Sequence, residues 1–387
     1  MSASPPETTR ITILTEIPAP FRVPLFNALA ATTNVELDVI FLAQADPRRN
    51  YSVDEADLAF RRRTLPGRSI LRKPRWLIVN GRVASTLDEL RPDVLVIGGW
   101  NQPTFWRAFT WARRHAIPVV VWVESTALDT RPSIGILERA RRTAIERAAA
   151  FIVPGIASAD YVRTLGARDE AIAIAPNAVD MRVFREAVEA ARADRELLRS
   201  TLSLGRATLL YVGRLDPEKG LDVLLHAVRN LDADLVVAGV GRDAERLRRS
   251  ASANVRFVGW LEPQELVPWY AAADVFVLPS LSEPWGMVLN EAAAAALPIV
   301  TTTAVGAAMD LVEEGVNGYA VAPGDAEALE RALRVLCEDE PLRASAGRRS
   351  AALADTRRPE DWASAVAELS RALAPPRGRA QGTVSSR

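Results

Sequence analysis

The chain has 387 residues, of which 49% are hydrophobic and 25% are charged, and its formal net charge is zero. This length exceeds what one hydrophobic core usually organises, so two domains are expected. The composition is that of a globular protein and excludes a largely disordered chain. The single cysteine, Cys337, excludes an intramolecular disulfide and a cysteine-rich zinc site.

The charges divide unevenly along the chain. Residues 1–177 hold 23 Lys and Arg against 18 Asp and Glu, and the remainder holds 25 against 30. This basic excess is small for nucleic-acid binding, so no nucleic-acid partner is predicted. The first ten residues lack the apolar run of a secretory signal, and no apolar run reaches the roughly 18 residues of a membrane span. A cytoplasmic protein is therefore expected.

Short β-rich apolar runs alternate with helical patterns in both halves of the chain. The predicted strands of the first half are Ile11–Thr15, Leu37–Leu42, Val94–Ile97, Val119–Val123 and Phe151–Val153. Those of the second half are Thr208–Val212, Asp234–Ala238, Val255–Val258, Val275–Leu278 and Ile299–Thr301. This alternation predicts an α/β protein with two Rossmann-like domains.

The turn-rich segment Ala175–Asp180 separates the two sets of strands. Pro176 and Asn177 disfavour continued regular structure there. We therefore predict an N-terminal domain over residues 1–177 and a C-terminal domain over residues 185–358.

The last part of the chain has a helical pattern followed by a polar tail. A helix is predicted over residues 359–374, where Trp362, Val366 and Leu369 form an apolar stripe. We expect this helix to return to the N-terminal domain. The tail, residues 375–387, is rich in Pro, Gly and Arg, which is typical of disorder.

A strand-loop-helix transition runs from the apolar strand Val275–Leu278 into Ser282–Glu291. Pro284 and Gly286 favour a tight loop. A helix that begins near Met287 would point its free N–H groups at the loop mouth, which makes an anion site.

Two glutamates flank the start of this helix. Glu283 and Glu291 are eight residues apart, so one lies on the loop and the other on the second helical turn. Both can then face one bound ligand. The alternative is that Glu283 caps the helix and Glu291 is solvated.

A second strand-loop-helix transition spans Tyr211–Gly220. Gly213 allows the backbone to turn at the carboxyl end of the strand, where open α/β sheets bind ligands. Arg214 and Lys219 supply two cations suited to a diphosphate. Lysine occurs only at positions 73 and 219, which indicates a need for a compact ammonium beside Gly220. The alternative is a solvated, charged turn.

These motifs, in this order, resemble the retaining glycosyltransferases with the GT-B fold, known as group 1 or family 4 glycosyltransferases. The matching residues are Gly213-Arg214, Lys219-Gly220, Gly239-Val-Gly241, Val258-Gly259-Trp260, Glu283 with Glu291, Asn317-Gly318 and Pro323-Gly324-Asp325. The resemblance covers residues 11–373. It implies that the two domains face each other across a cleft, with the N-terminal domain as the acceptor domain and the C-terminal domain as the donor domain. In the N-terminal domain it depends on Pro18–Phe26 and on strand order.

The resemblance implies that the co-substrate is a nucleotide diphosphate-sugar and that no cofactor is needed. It assigns Arg214 and Lys219 to the donor diphosphate, Glu283 to the sugar and Glu291 to the ribose hydroxyls. Other donor-binding residues implied by the resemblance are Gly213, Gly239, Gly241, Trp260, Leu261, Gly286, Met287 and Val288. Relatives generally retain the anomeric configuration, with the leaving phosphate taking the acceptor proton.

No metal site is predicted. Asp232-Ala-Asp234 resembles the metal-binding pair of another glycosyltransferase fold, but it lies at the N-terminal end of a predicted strand, away from the ligand edge.

The acceptor side departs from the family pattern. Many relatives carry a histidine after an N-terminal-domain strand, whereas this chain has a glutamate and a serine there. The acceptor-side candidates are Arg22, Trp100, Asn101, Glu124 and Ser125. The acceptor itself stays open between a sugar, a lipid-linked molecule and a small molecule.

Two further alternatives stay open from the sequence. The basic stretch Arg61–Arg75 is either a solvated face or a peripheral contact with the inner face of a membrane. The protein as a whole is either an active transferase, an inactive nucleotide-sugar-binding scaffold, or a GT-B-like epimerase.

Overall fold

The computed structural model describes residues 8–46, 53–72, 75–127, 135–178 and 181–375. Three predicted features fall partly outside these ranges: Asp180 of the junction, Lys73 of the basic stretch, and residues 376–387 of the tail. Within these ranges no helix combines the length and hydropathy that crossing a bilayer requires.

The first half of the chain forms a seven-stranded sheet and a separate hairpin. Its strands are β1 (Thr9–Thr15), β2 (Val35–Phe41), β3 (Arg61–Thr64), β4 (Gly67–Arg72), β5 (Arg75–Asn80), β6 (Val94–Ile97), β7 (Val119–Trp122), β8 (Ala150–Val153) and β9 (Ile172–Ile174). Its helices are α1 (Val23–Ala30), α2 (Val83–Leu90), α3 (Pro103–Arg114), α4 (Gly135–Arg147) and α5 (Ile156–Thr164). The parallel sheet has the order β3-β2-β1-β6-β7-β8-β9, and β4 pairs with β5 in antiparallel fashion.

The second half forms a six-stranded parallel sheet. Its strands are β10 (Ala207–Val212), β11 (Ala233–Ala238), β12 (Val255–Gly259), β13 (Val275–Leu278), β14 (Ile299–Thr302) and β15 (Gly318–Val321). The helices are α6 (Arg182–Arg192), α7 (Arg195–Thr201), α8 (Leu221–Ala227), α9 (Ala244–Ser250), α10 (Pro263–Ala272), α11 (Met287–Ala294), α12 (Ala308–Leu311), α13 (Ala326–Glu338), α14 (Glu340–Ala354) and α15 (Pro359–Leu373). The strand order is β12-β11-β10-β13-β14-β15.

Both sheets are doubly wound, which confirms the predicted α/β class with two Rossmann-like units. Every residue of β6 and of β13 is buried, because helices cover both faces of a parallel sheet. In each sheet the strand order reverses beside the first strand, between β1 and β6 and between β10 and β13. Such a reversal opens a crevice at the carboxyl ends of the strands, where ligands bind.

The last helix, α15, packs against the seven-stranded unit. Trp362 is fully buried, and its ring centroid lies 6.0 Å from that of Phe26 and 5.3 Å from that of Trp122. Val366 adds to the same apolar cluster. The domain limits predicted above stay predictions, but this contact ties the end of the described chain to its beginning.

The carboxyl edges of the two sheets face each other. The Oδ2 atom of Asp310, on α12, accepts a hydrogen bond at 3.0 Å from the backbone N–H of Ile156, at the start of α5. Arg357 donates to the Oδ1 atom of Asp310 at 3.2 Å. Burial raises the pKa of Asp310, and the charge of Arg357 opposes that shift. A second link is made by Asn290, which donates to the backbone carbonyl of Asn177 at 3.2 Å.

Candidate functional site

Two loops at the switch point of the six-stranded sheet form the centre of the site. One follows β10 and spans residues 213–220; the other follows β13 and spans residues 279–286. The backbone N–H of Leu281 donates to the carbonyl of Glu218 at 2.8 Å and so joins the loops. Gly220 has φ +68°, and a Cβ atom there would collide with the carbonyl of Pro279. Any side chain at this position would therefore push the loops apart.

The joined loops bring Lys219 into direct contact with Glu283. Their side chains form an ion pair and are only 12% and 17% exposed. The backbone of Glu283 is held on both sides, because its N–H donates to Ala304 at 3.1 Å and its carbonyl accepts from Gly306 at 3.0 Å. Two residues that lie 64 positions apart in the sequence thus meet at one point of the sheet edge.

Arg214 lies on the open side of the same loop. Its side chain is 63% exposed and pairs with Asp216 and, at 2.9 Å, with Glu218. The buried hydroxyl of Tyr211 donates to the backbone carbonyl of Arg214 at 2.7 Å. Because burial raises the pKa of Tyr211, this hydroxyl stays a protonated donor and fixes the loop backbone.

Helix α11 begins beside this ion pair. Its N-cap is Gly286, with φ +93°, and in the described part of the chain the Glu283 side chain pairs with Lys219 and makes no hydrogen bond to the first N–H groups of the helix. The structure therefore favours the ligand-facing interpretation of Glu283 over the helix-cap alternative. The N-terminal backbone N–H groups, among them those of Met287 and Val288, and the positive end of the helix dipole are directed toward the loop. This end of α11 suits an anion.

Glu291 lies in the second turn of α11 and is not a freely solvated side chain. Tyr270, on α10, is fully buried and donates its hydroxyl to the Oε2 atom of Glu291 at 2.7 Å. Burial raises the pKa of Glu291, and the hydrogen bond from Tyr270 acts in the opposite direction. Sequence reasoning missed Tyr270, since nothing in its helix marks it as the partner of a carboxylate.

The other predicted donor-binding residues follow three neighbouring strands of the same sheet. Gly213 donates its N–H to Ala238 at 3.0 Å, and Gly239 donates to Gly259 at 2.6 Å. Gly241 approaches the backbone of Leu215 closely. The structure therefore brings these glycines to the edge that also carries Arg214.

Trp260 and Leu261 follow β12 at this edge. The ring of Trp260 is 65% exposed, and its indole N–H donates to Glu262 at 3.3 Å. Leu261 is half-buried against the core. Trp260 thus presents an aromatic face to solvent at the outer end of the site.

On the opposite unit, Arg22 and Glu124 form a half-buried ion pair. The guanidinium of Arg22 donates to Glu124 at 3.0 Å and to the hydroxyl of Thr15 at 2.5 Å. Its carbon lies 4.5 Å from the ring centroid of Trp122, a cation–π distance. These groups lie at the carboxyl ends of β1 and β7.

The remaining acceptor-side candidates lie nearby on the same edge. Asn101 donates to Glu16 at 3.0 Å, and Arg141 lies 6.0 Å from the ring centroid of Trp100. Ser125 is half-buried just after Glu124. The structure thus divides these candidates between the loop after β6 and the loop after β7.

The described ranges contain no group of three or more His, Cys, Asp or Glu residues that could hold a metal ion. Asp232 and Asp234 both pair with Arg206, at 3.4 and 2.7 Å, at the N-terminal end of β11. They lie at the opposite end of the strand from the donor edge.

The first arginines of the basic stretch are paired with acids. Arg61, in β3, contacts Glu36 at 2.6 Å and Asp38 at 2.7 Å. Arg62 and Arg63 contact Glu55 and Glu89, at 3.2 and 2.7 Å. These contacts favour the interpretation as a solvated face.

Comparison with known proteins identifies the family of each half. Residues 194–352 match the family described as glycosyl transferases group 1, and residues 24–178 match a glycosyl transferase 4-like domain. The chain is 30% identical over 308 residues to the phosphatidyl-myo-inositol mannosyltransferase of Mycobacterium leprae, covering 76% of each chain. It is 36% identical over 174 residues to the glycogen synthase of Mycobacterium tuberculosis, covering 42% of this chain and 41% of that one.

The matched part spans less than half the length of several such curated relatives. Among solved structures, HepE of Anabaena in complex with UDP has the same fold, with a TM-score of 0.72 at 19% identity over 93% of this chain and 99% of that one. The fold is therefore GT-B, and the chain belongs to the group 1 glycosyltransferases.

Proposed function

We propose that this protein transfers a sugar from a nucleotide diphosphate-sugar to an acceptor, with retention of configuration and without a metal ion. The observation that supports this most is the meeting of Lys219 and Glu283 with the uncapped N-terminus of α11. A shielded ammonium and free helical N–H groups complement a diphosphate, and a carboxylate beside them complements sugar hydroxyls.

Each charged residue has a role that its position supports. Lys219, Arg214 and the first N–H groups of α11 stabilise the negative charge that develops on the leaving diphosphate. Glu283 binds the sugar near its anomeric carbon, and Glu291 binds the ribose. Because these groups supply the positive charge, no divalent cation is needed, and we expect turnover to survive EDTA. Loss of turnover in EDTA that Mn²⁺ restores would contradict this part of the proposal.

In the proposed reaction, the acceptor hydroxyl attacks the anomeric carbon from the face that the diphosphate leaves. The bond from that carbon to the phosphate oxygen breaks as the bond to the acceptor oxygen forms. The leaving phosphate oxygen takes the hydroxyl proton, so configuration is retained and no protein base is required. The pairing of Glu124 with Arg22 is consistent with a binding role rather than a role as base.

The UDP bound in HepE supports a nucleotide diphosphate-sugar as the donor. The similarity to a phosphatidyl-myo-inositol mannosyltransferase supports a lipid-linked molecule among the acceptors left open above. We propose that Arg22, Trp100, Asn101, Glu124 and Ser125 contact the acceptor, because they line the edge that faces the donor site. An inactive scaffold would bind the donor without turnover, and an epimerase would alter the donor without an acceptor product. Product analysis after incubation with nucleotide sugars separates all three.

Exchange of each glutamate for glutamine tests the two roles. Glu291→Gln should chiefly weaken donor binding, by about tenfold or more, since a hydrogen bond to a charged group is worth roughly 1.5–3 kcal/mol. Glu283→Gln removes a negative charge beside a carbon that becomes cationic, so kcat should fall most. Glu327→Gln, at an 88% exposed side chain on α13, is the matched control. Unaltered kinetics in both site variants would refute the assignment.

A further inference from the structure

The ion pair between Lys219 and Glu283 places two groups with different proposed ligands in contact with each other. Within the described ranges, Glu283 is the carboxylate that pairs with Lys219. Both side chains are largely shielded from water, so their attraction is screened less than that of the exposed Arg214 pairs. A diphosphate that approaches Lys219 therefore meets an ammonium already held by a carboxylate.

We propose that Glu283 competes with the donor diphosphate for Lys219, and that this competition makes the site prefer the intact nucleotide sugar over the bare nucleoside diphosphate. This inference rests on the donor site proposed above. When the whole donor binds, Lys219 turns to the phosphate and Glu283 accepts hydrogen bonds from the sugar hydroxyls. Both charged groups then keep a partner, as their shielded position requires.

A bare nucleoside diphosphate offers only half of this exchange. Its phosphate takes Lys219, but no sugar hydroxyl replaces the ammonium at Glu283. The carboxylate is left close to the phosphate charge, and the two anions repel each other. After sugar transfer the same imbalance favours departure of the nucleotide, a step that often limits turnover.

The backbone is held on both sides of the ion pair, so Lys219 and Glu283 exchange partners by side-chain movement. Glu283 is held by hydrogen bonds to Ala304 and Gly306, and the loop of Lys219 is joined to the loop of Glu283 through Leu281 and Glu218. Gly220 also packs directly against the carbonyl of Pro279, which brings the two loop backbones into contact. Rotation about side-chain bonds is then the smallest change that separates the pair.

Calorimetric titration with UDP, GDP and ADP, and with their glucose conjugates, tests the inference without an acceptor. Glu283→Gln should bind the nucleoside diphosphate accepted by the wild type about tenfold more tightly, because the competing charge is gone. Its affinity for the nucleotide sugar should not rise in parallel. Glu283→Asp, which keeps the charge but shortens its reach, should also tighten nucleoside diphosphate binding and serves if the glutamine variant does not fold.

Two comparisons distinguish competition for Lys219 from a general effect of charge. In a Lys219→Met background, Glu283→Gln should tighten nucleoside diphosphate binding much less than it does in the wild type, since the contested ammonium is absent and only the direct repulsion of the phosphate is relieved. Asp222→Asn removes one negative charge from α8, where Asp222 pairs with Arg246 at 2.6 and 2.8 Å, and should change the affinity less than twofold.

The outcomes also separate this inference from the proposed function. If the wild type binds nucleoside diphosphates and neither Glu283 variant binds them more tightly, the competition is wrong while the donor site stands. Equal tightening in the Lys219→Met background would likewise overturn it. If the wild type binds no nucleotide at all, the proposed donor site is wrong.

Discussion

Removal of the hydroxyl of Tyr270 tests whether Glu291 is held as a charged ligand group. The Tyr270 hydroxyl is fully buried and lies 2.7 Å from the Oε2 atom of Glu291. In Tyr270→Phe the carboxylate loses this donor while its burial persists. A hydrogen bond to a charged group is worth roughly 1.5–3 kcal/mol, so we expect a loss of about 2 kcal/mol in unfolding free energy. For a domain of this size that lowers Tm by roughly 4–8 °C.

The loss should depend on pH in a defined direction. Burial raises the pKa of Glu291 in the folded protein, and the Tyr270 hydroxyl opposes that shift, so the substitution raises this pKa further. A carboxyl with a raised folded-state pKa lowers stability as pH rises from the unfolded pKa through the folded one. The unfolding free energy falls more steeply with pH in the variant than in the wild type. The difference in stability between the two should therefore be greater at pH 7 than at pH 4.

Thermal melting across pH, with Tyr211→Phe as the control, measures this effect. Tyr211 is also fully buried and also donates at 2.7 Å, but its acceptor is the backbone carbonyl of Arg214, which does not titrate. The control should lose about 1 kcal/mol at every pH. If the two variants show parallel pH profiles, the hydrogen bond does not stabilise a charged Glu291, and the reasoning fails. Nucleotide affinity should also fall in Tyr270→Phe, because Glu291 loses the hydrogen bond that stabilises its charged form.

Two further predictions concern contacts outside the donor site. Asp310→Ala should cost about 3 kcal/mol in unfolding free energy, because it leaves the largely buried guanidinium of Arg357 without its acidic partner. Chemical denaturation measures this loss. A loss as small as that of Asp355→Ala, where the carboxylate that pairs with Arg185 is 60% exposed, would contradict it. Replacing Arg61 and Arg63 with Ser should leave co-sedimentation with anionic vesicles unchanged at low salt, since both arginines already form ion pairs with acidic residues. Weakened vesicle binding would instead support the membrane interpretation.

Much of the fold could be predicted because buried parallel strands consist of consecutive apolar residues, which are visible in the sequence. All ten predicted strands exist with ends shifted by at most two residues, and β6 and β13 have the predicted limits. Five strands were not predicted: β3, β4, β5, β9 and β15. Of these, β3 lies at the sheet edge and consists of Arg61–Thr64, a charged pattern that indicates no buried face. A strand lacks the apolar pattern that predicts it when its side chains pair with neighbouring acidic residues instead of packing into a core.

The centre of the site could be predicted from the two strand-loop-helix motifs, since carboxyl ends of parallel strands meet at one edge. The contacts that support it could not. Tyr270 lies 21 residues before Glu291, and Asp310 lies 154 residues after Ile156. Neither separation has a periodic signature, so both partnerships depend on tertiary packing alone. The Lys219 and Glu283 pair belongs to the same class: each residue was a candidate, but their mutual contact was not foreseen.

The return of α15 to the first unit has a consequence for how the chain folds as it leaves the ribosome. Phe26 and Trp122 are synthesised early, yet Trp362, which covers them, follows 240 residues after Trp122, about 12–48 s at ordinary elongation rates. During that interval the first unit emerges with an uncovered aromatic surface, while the second unit can complete its own core as soon as α14 is made. The order of completion is then the reverse of the order of synthesis, and the nascent first unit is the part of this protein most exposed to aggregation and to chaperone capture.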